Sequence, residues 1–138
     1  MKKALILTVV LPVLFRCAGA CAISAKSAIV IDGKTGRVLY EKSAYEKLPM
    51  ASTTKIMTGL IACEKGKMKS TVKVSPNASG TEGSSIWLGI GEKISFRDLC
   101  YGLMLQSGND AAVAIAEHIA GSTDAFVLLM NNRAKEIG

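Results

Sequence analysis

At 138 residues the chain has the length of one domain, and 49% of its residues are apolar, enough to build a core. Seventeen Lys and Arg against eleven Asp and Glu give a net charge of +6, yet no dense basic stripe interleaved with aromatics is present, so nucleic acid is excluded as a partner. Four cysteines and a single histidine show neither a C-x-x-C nor a Cys/His ligand spacing, so no metal is expected.

Lys2 and Lys3, the apolar run 4–15 broken by Thr8 and Pro12, and the small residues Ala20-Cys21-Ala22 form the pattern of a secretory signal peptide over residues 1–22. The run is shorter than the roughly 20 apolar residues of a permanent span. Acylation of Cys21 is the weaker alternative, because Ala18 stands where a large aliphatic residue is wanted. Removing Lys2, Lys3 and Arg16 leaves 14 basic residues against 11 acidic ones, a net charge of +3. The expected location is therefore outside the cytoplasmic membrane, in the periplasm or cell wall. Lys65, Lys67, Lys69 and Lys73 are spaced like a solvated segment.

In chain order, the strand-like stretch 27–32 and the stretch 37–41 flank Gly33-Lys34-Thr35-Gly36, the signature of a β-hairpin. Pro49 ends an irregular segment. A helix over about 52–63 follows, with Ile56, Met57, Leu60 and Ile61 on its buried side and Gly66 as its stop. Residues 71–74 alternate as a short strand closed by Pro76, and 77–91 form an ordered Gly/Ser/Thr-rich loop around Ile86-Trp87-Leu88. Ser95 is an N-cap with Asp98 three residues on, opening a helix to Gln106 with Leu99, Leu103 and Met104 on its apolar face. Residues 110–120 form a second helix closed by Gly121, and Ser122 caps a third that carries Phe126, Val127, Leu129 and Met130 and meets Gly138 at its end. Cys63 and Cys100 fall on apolar sides of their helices and are expected as free buried thiols rather than a disulfide. His118, in an alanine-rich helix, is expected to be structural.

Two motifs carry chemistry. In Ser52-Thr53-Thr54-Lys55 the hydroxyl and the amine lie three residues apart at a helix start, so they project from one face. A serine needs a base within about 3 Å to act as a nucleophile, and lysine serves when its amine is largely neutral. Ser107-Gly108-Asn109 sits on a helix–helix connection, a place from which side chains reach a cleft with little freedom.

The order S-x-x-K then S-x-N resembles the first two active-site motifs of the penicillin-interacting serine enzymes. The stretches 49–58, 105–111 and 116–121 together resemble the amino-terminal half of the low-molecular-mass D-alanyl-D-alanine carboxypeptidases, serine peptidases of family S11, and the hairpin and the 126–138 helix extend the likeness over nearly all of residues 23–138. The resemblance implies an α+β fold of the β-lactamase/transpeptidase type, a helical cluster packed on an antiparallel sheet, incomplete in this chain. It implies Ser52 as the acyl-ester nucleophile, Lys55 as proton acceptor, Ser107 as proton shuttle and Asn109 as substrate-binding residue. The implied partners are peptidoglycan stem peptides ending in D-Ala-D-Ala and β-lactams, with contact to a membrane surface through a missing carboxy-terminal anchor and no cofactor.

The family's third motif, K-T-G, follows S-x-N on a later strand, whereas Lys34-Thr35-Gly36 precedes Ser52 in a hairpin turn. The expectation is thus an amino-terminal part of the catalytic domain, residues 23–138, inactive by itself. The alternatives are a β-lactamase or DD-endopeptidase of the same fold, or a non-catalytic peptidoglycan-binding protein.

Overall fold

The computed structural model describes residues 23–138; the expected export segment, with Cys17 and Cys21, lies outside the described residues. The chain divides into two units, one ending at Leu48 and the other spanning Pro49–Gly138.

In the first unit β1 (Ala28–Ile31) pairs antiparallel with β2 (Val38–Lys42), as the hairpin signature requires, with a register shift between Val30 and Ile31. The turn is built by Asp32, whose carboxylate accepts from the Thr35 hydroxyl and N–H, both at 2.7 Å, and from the Lys34 N–H at 3.1 Å. These donors, the Thr35 hydroxyl foremost, hold the Asp32 carboxyl below its ordinary value. Lys34-Thr35-Gly36 is therefore a turn element whose hydroxyl is already engaged.

The second unit begins with a 3-10 turn, Ala51–Thr53, running into α1 (Thr54–Lys65), which ends at Gly66 as expected. Then come β3 (Thr71–Lys73), a one-turn helix α2 (Pro76–Ser79), β4 (Lys93–Ser95), α3 (Phe96–Leu105), α4 (Asn109–Ala120) and α5 (Thr123–Ile137). β3 and β4 form an antiparallel pair with Val72 opposite Ile94. Both α2 and β4 depart from the sequence expectation. Pro76 opens a helix instead of only closing a strand, because Ser75 caps it and accepts from the Ala78 N–H. β4 is three residues of weak alternation, and only its partner makes it a strand.

The caps behave as the sequence implies. Ser95 accepts from the Asp98 N–H and donates to its carboxylate, Ser122 accepts from the Ala125 N–H, and Gly121 takes the left-handed conformation that closes α4.

A core of Val72, Val74, Phe96, Leu99, Leu103, Ala114 and Ile115 joins the β3–β4 pair to α3 and α4. Ile61, Ala116 and Phe126 form a second cluster between α1, α4 and α5. Arg133 also ties α5 to α1 through paired bonds to Glu64.

Three expectations about burial are corrected. Ile56 and Met104 are exposed, because both line a cleft beside the 3-10 turn instead of packing inward. Val127 is likewise exposed, facing a second cleft. Cys63 is exposed and Cys100 only half-buried, although both are free thiols as expected. Cys63 follows the buried pair Ile61–Ala62 and lies at the edge of the face that those residues bury.

Candidate active site

Backbone strain concentrates where the two motifs sit. Of the non-glycine residues with positive φ, Ala51 (φ 50°) immediately precedes Ser52, and Ser107 (φ 55°) reverses the chain between α3 and α4. Such conformations cost energy and persist only where the surroundings enforce them, and they gather at functional sites. The 3-10 turn also differs from the α-helical start expected from the sequence: it carries Ser52, while Lys55 lies in the first turn of α1.

Lys55 is the hub. Its Nζ donates to Asn109 Oδ1 at 2.6 Å and to Ser107 Oγ at 3.1 Å, and lies 3.5 Å from Ser52 Oγ, at the outer limit of a hydrogen bond. All four sequence-derived residues are thus brought to one point, from the 3-10 turn, α1, the α3–α4 connection and the start of α4. The three protons of an ammonium are matched by three oxygens. Among the described residues Lys55 has no carboxylate partner. Ser52 is exposed and Lys55 half-buried, and both line two clefts. One, about 550 Å³, is walled by Thr81, Val113, Phe126 and Met130; the other, about 290 Å³, by Ile56, Met104 and Ser107.

The orientation of Asn109 is fixed by its other end. Its Nδ2 donates to Glu82 O at 2.7 Å and its backbone N–H to Ser84 O at 2.7 Å, which turns Oδ1 toward Lys55. Gly83 lies between these two acceptors at φ 94°, and a Cβ there would stand 2.6 Å from Asn109 Nδ2. Only glycine suits both the backbone and the space.

The segment holding Asn109 is itself anchored by Asp110, which sequence reasoning missed. Its carboxylate is fully buried, yet among the described residues it meets no cation. It accepts from Ser85 Oγ at 2.6 Å, from the backbone N–H groups of Ile86 and Leu88 at 3.1 Å and from its own neighbour Ala111 at 2.8 Å. Burial alone would raise its pKa, but the bonds from Ser85, Leu88, Ile86 and Ala111 prevail and hold it below the ordinary value of 3.8. Trp87, spanned by these bonds, is 88% exposed and held at φ 62°.

His118 stands apart from this constellation, bonded to Ser70 Oγ at 3.0 Å with its ring 5.5 Å from that of Phe96. Its neighbour Glu117 is used by Ser75 and Asn77. No cluster of metal-ligating side chains occurs among the described residues.

Comparison with known proteins places this geometry in context. The D-alanyl-D-alanine carboxypeptidase family, peptidase S11, matches residues 15–138. The D-alanyl-D-alanine carboxypeptidase DacF of Bacillus subtilis is 48% identical over 119 residues, covering 83% of this chain and 31% of that protein. The crystal structure of the D-alanyl-D-alanine carboxypeptidase DacD from Francisella tularensis superimposes with a TM-score of 0.77 at 39% identity over 84% of this chain and 29% of that one. Penicillin binding protein 5 from Haemophilus influenzae does so at 0.77 with 31% identity, over 84% and 36% respectively. The chain spans about a third of the length of the curated relatives it matches. The α+β fold expected from the sequence is therefore the fold of these penicillin-interacting enzymes.

Proposed function

The chain belongs to the D-alanyl-D-alanine carboxypeptidase family of serine peptidases, peptidase S11, and from that premise we propose that it supplies the nucleophile, base and proton shuttle of an enzyme that removes the terminal D-alanine from peptidoglycan stem peptides. The observation that carries this reading is the Lys55 amine, bonded at once to Ser107 and Asn109 and within 3.5 Å of the Ser52 hydroxyl.

Ser52 Oγ attacks the carbonyl carbon between the last two D-alanines as Lys55 Nζ takes its proton. The resulting ammonium finds an acceptor for each of its three protons, which lowers the cost of the transfer. Ser107 bonds Lys55 and is placed to relay that proton to the departing nitrogen, so D-alanine leaves as a neutral amine and Ser52 keeps an acyl ester. Water, deprotonated by the same lysine, hydrolyses the ester. Asn109 spends Oδ1 on Lys55 and one Nδ2 proton on Glu82; its second Nδ2 proton remains for a substrate carbonyl. Backbone N–H groups, that of Ser52 among them, stabilise the oxyanion, a kind of interaction worth about 3–4 kcal/mol when one donor is lost. A β-lactam acylates Ser52 by the same attack. The basic start and apolar run of residues 1–22 support export to the compartment that holds this substrate.

The test pairs two readouts on the whole protein. Fluorescent penicillin labels the protein covalently and Ser52→Ala abolishes the label, while a stem pentapeptide releases D-alanine. Labelling that persists in Ser52→Ala would falsify the nucleophile. Labelling with rapid β-lactam turnover but no D-alanine release identifies a β-lactamase instead, and tight peptide binding with neither label nor release identifies a non-catalytic binder.

A further inference from the structure

Two thiols among the described residues are left unused by the acyl-transfer site, and they lie on helices that pack against each other in a register that brings position 63 opposite position 100. On α1, Gly59 meets Met104 and Leu103 of α3: a Cβ there would stand 3.1 Å from Met104 Sδ and 3.9 Å from Leu103 Cδ2. Just past the other end of α1, a Cβ on Gly66 would collide with the ring of Phe96, the first residue of α3. The helices therefore run antiparallel, with position 59 against 103–104 and position 66 against 96. Cys63 falls four residues after Gly59, and Cys100 four before Met104. Positions 59 and 63 lie on one stripe of α1, with Gly66 just beyond its end, and positions 96, 100 and 104 lie on one stripe of α3. Gly59 before Cys63 and Gly66 after it both lie against α3 side chains.

The pair is asymmetric. Cys63 is exposed and Cys100 half-buried. The Cys100 thiol is pushed up first by its burial and then by the neighbouring Cys63 thiolate.

We propose that Cys63 and Cys100 are an exchangeable dithiol that closes to an intramolecular disulfide bridging α1 to α3, with a small-molecule disulfide as oxidant. The exposed Cys63 thiolate attacks the oxidant, forming a mixed disulfide and releasing one small thiol. Cys100, deprotonated, then attacks the Cys63 sulfur and expels the second small thiol. Two protein thiols are oxidised, one small disulfide is reduced to two thiols, and no other reactant is needed. The bridge would join the helix that carries Lys55 to the helix that ends two residues before Ser107.

The experiment treats the reduced full chain at low concentration with oxidised glutathione, quenches with acid and maps the products by mass. The expected result is a monomer about 2 Da lighter for the bond, with the tryptic peptides 56–65 and 98–133 linked to each other, at a rate independent of protein concentration. The link is absent from Cys63→Ser and from Cys100→Ser, and Cys100→Ser accumulates the glutathione adduct on Cys63. The preference for this pair disappears in concentrated guanidinium chloride, where the helix register is gone. A stable glutathione adduct on Cys63 of the native chain, a disulfide-linked dimer, or a bond made to Cys17 or Cys21 in place of this one would each overturn the proposal. None of these readouts depends on peptidase activity, so the outcome is separate from the fate of the proposed function.

Discussion

The amide oxygen of Asn109 stands 2.6 Å from the Lys55 amine, nearer than the hydroxyl of either serine. Lys55 is thus positioned first by the start of α4, and Ser52, the proposed nucleophile, is the more loosely held member of the group. Replacing Asn109 by Ala removes a hydrogen bond to a charged group, worth about 1.5–3 kcal/mol, and should slow penicillin acylation by about tenfold to a hundredfold. Asn109→Asp should act differently. A carboxylate accepts more strongly from the amine and opposes its taking the Ser52 proton, so acylation should fall further than in Asn109→Ala. Stopped-flow acylation of the two variants checks this, and an aspartate variant that acylates at the wild-type rate would show that Lys55 is not the proton acceptor.

Ser107 touches Lys55 at 3.1 Å from a left-handed backbone position. As the proposed relay it would matter most where a proton must reach a leaving nitrogen. Ser107→Ala should therefore lower kcat for D-alanine release by about 10²–10⁴, with peptide binding little changed. Measuring kcat and KM separately checks this, and a loss confined to KM would assign Ser107 to binding alone.

The buried carboxylate of Asp110 links stability to acid. Its folded pKa is depressed below 3.8, so its contribution is fully present above the unfolded value and is lost as pH falls through the folded one. Urea midpoints should drop as pH falls below about 5 and on through the depressed folded value, and Asp110→Asn should flatten that part of the curve. The variant should also cost about 1–3 kcal/mol at neutral pH, because an amide cannot accept all four donors. An unchanged acid limb would show that other carboxylates govern it.

What the sequence made legible here is what is local. Ser52 and Lys55 are three residues apart, Ser107 and Asn109 two, and the caps at Ser95, Ser122 and Gly121 depend on neighbours within four residues, so spacing shows each pair; that the two motifs, more than fifty residues apart, share one site was implied by the family resemblance. Asp110 was not legible, because an acid in the first turn of a helix is expected simply to face the positive end of its dipole. Its real partners lie in 85–88, more than twenty residues upstream. β4 escaped for a similar reason, since Lys93-Ile94-Ser95 becomes a strand only beside Thr71–Lys73. Ile56 and Met104 have the period of core residues, and periodicity does not distinguish a wall of a cleft from the interior.

Gly83 offers the sharpest test of how the site is held. Its φ of 94° and the 2.6 Å separation of a built Cβ from Asn109 Nδ2 are two distinct demands. An alanine at 83 should cost about 1–2 kcal/mol for the backbone conformation and should also displace the Asn109 amide that orients Lys55. Gly36 separates these effects, because it has a similar φ of 71° with nothing within 4 Å of its built Cβ. Gly36→Ala should show the backbone cost in its melting curve and leave penicillin acylation at the wild-type rate. Gly83→Ala should lose acylation by about tenfold or more, in line with a weakened hydrogen bond to a charged amine. Equal acylation in the two variants would mean that the 82–84 segment does not position Asn109, and that the orientation of its amide comes from Lys55 itself.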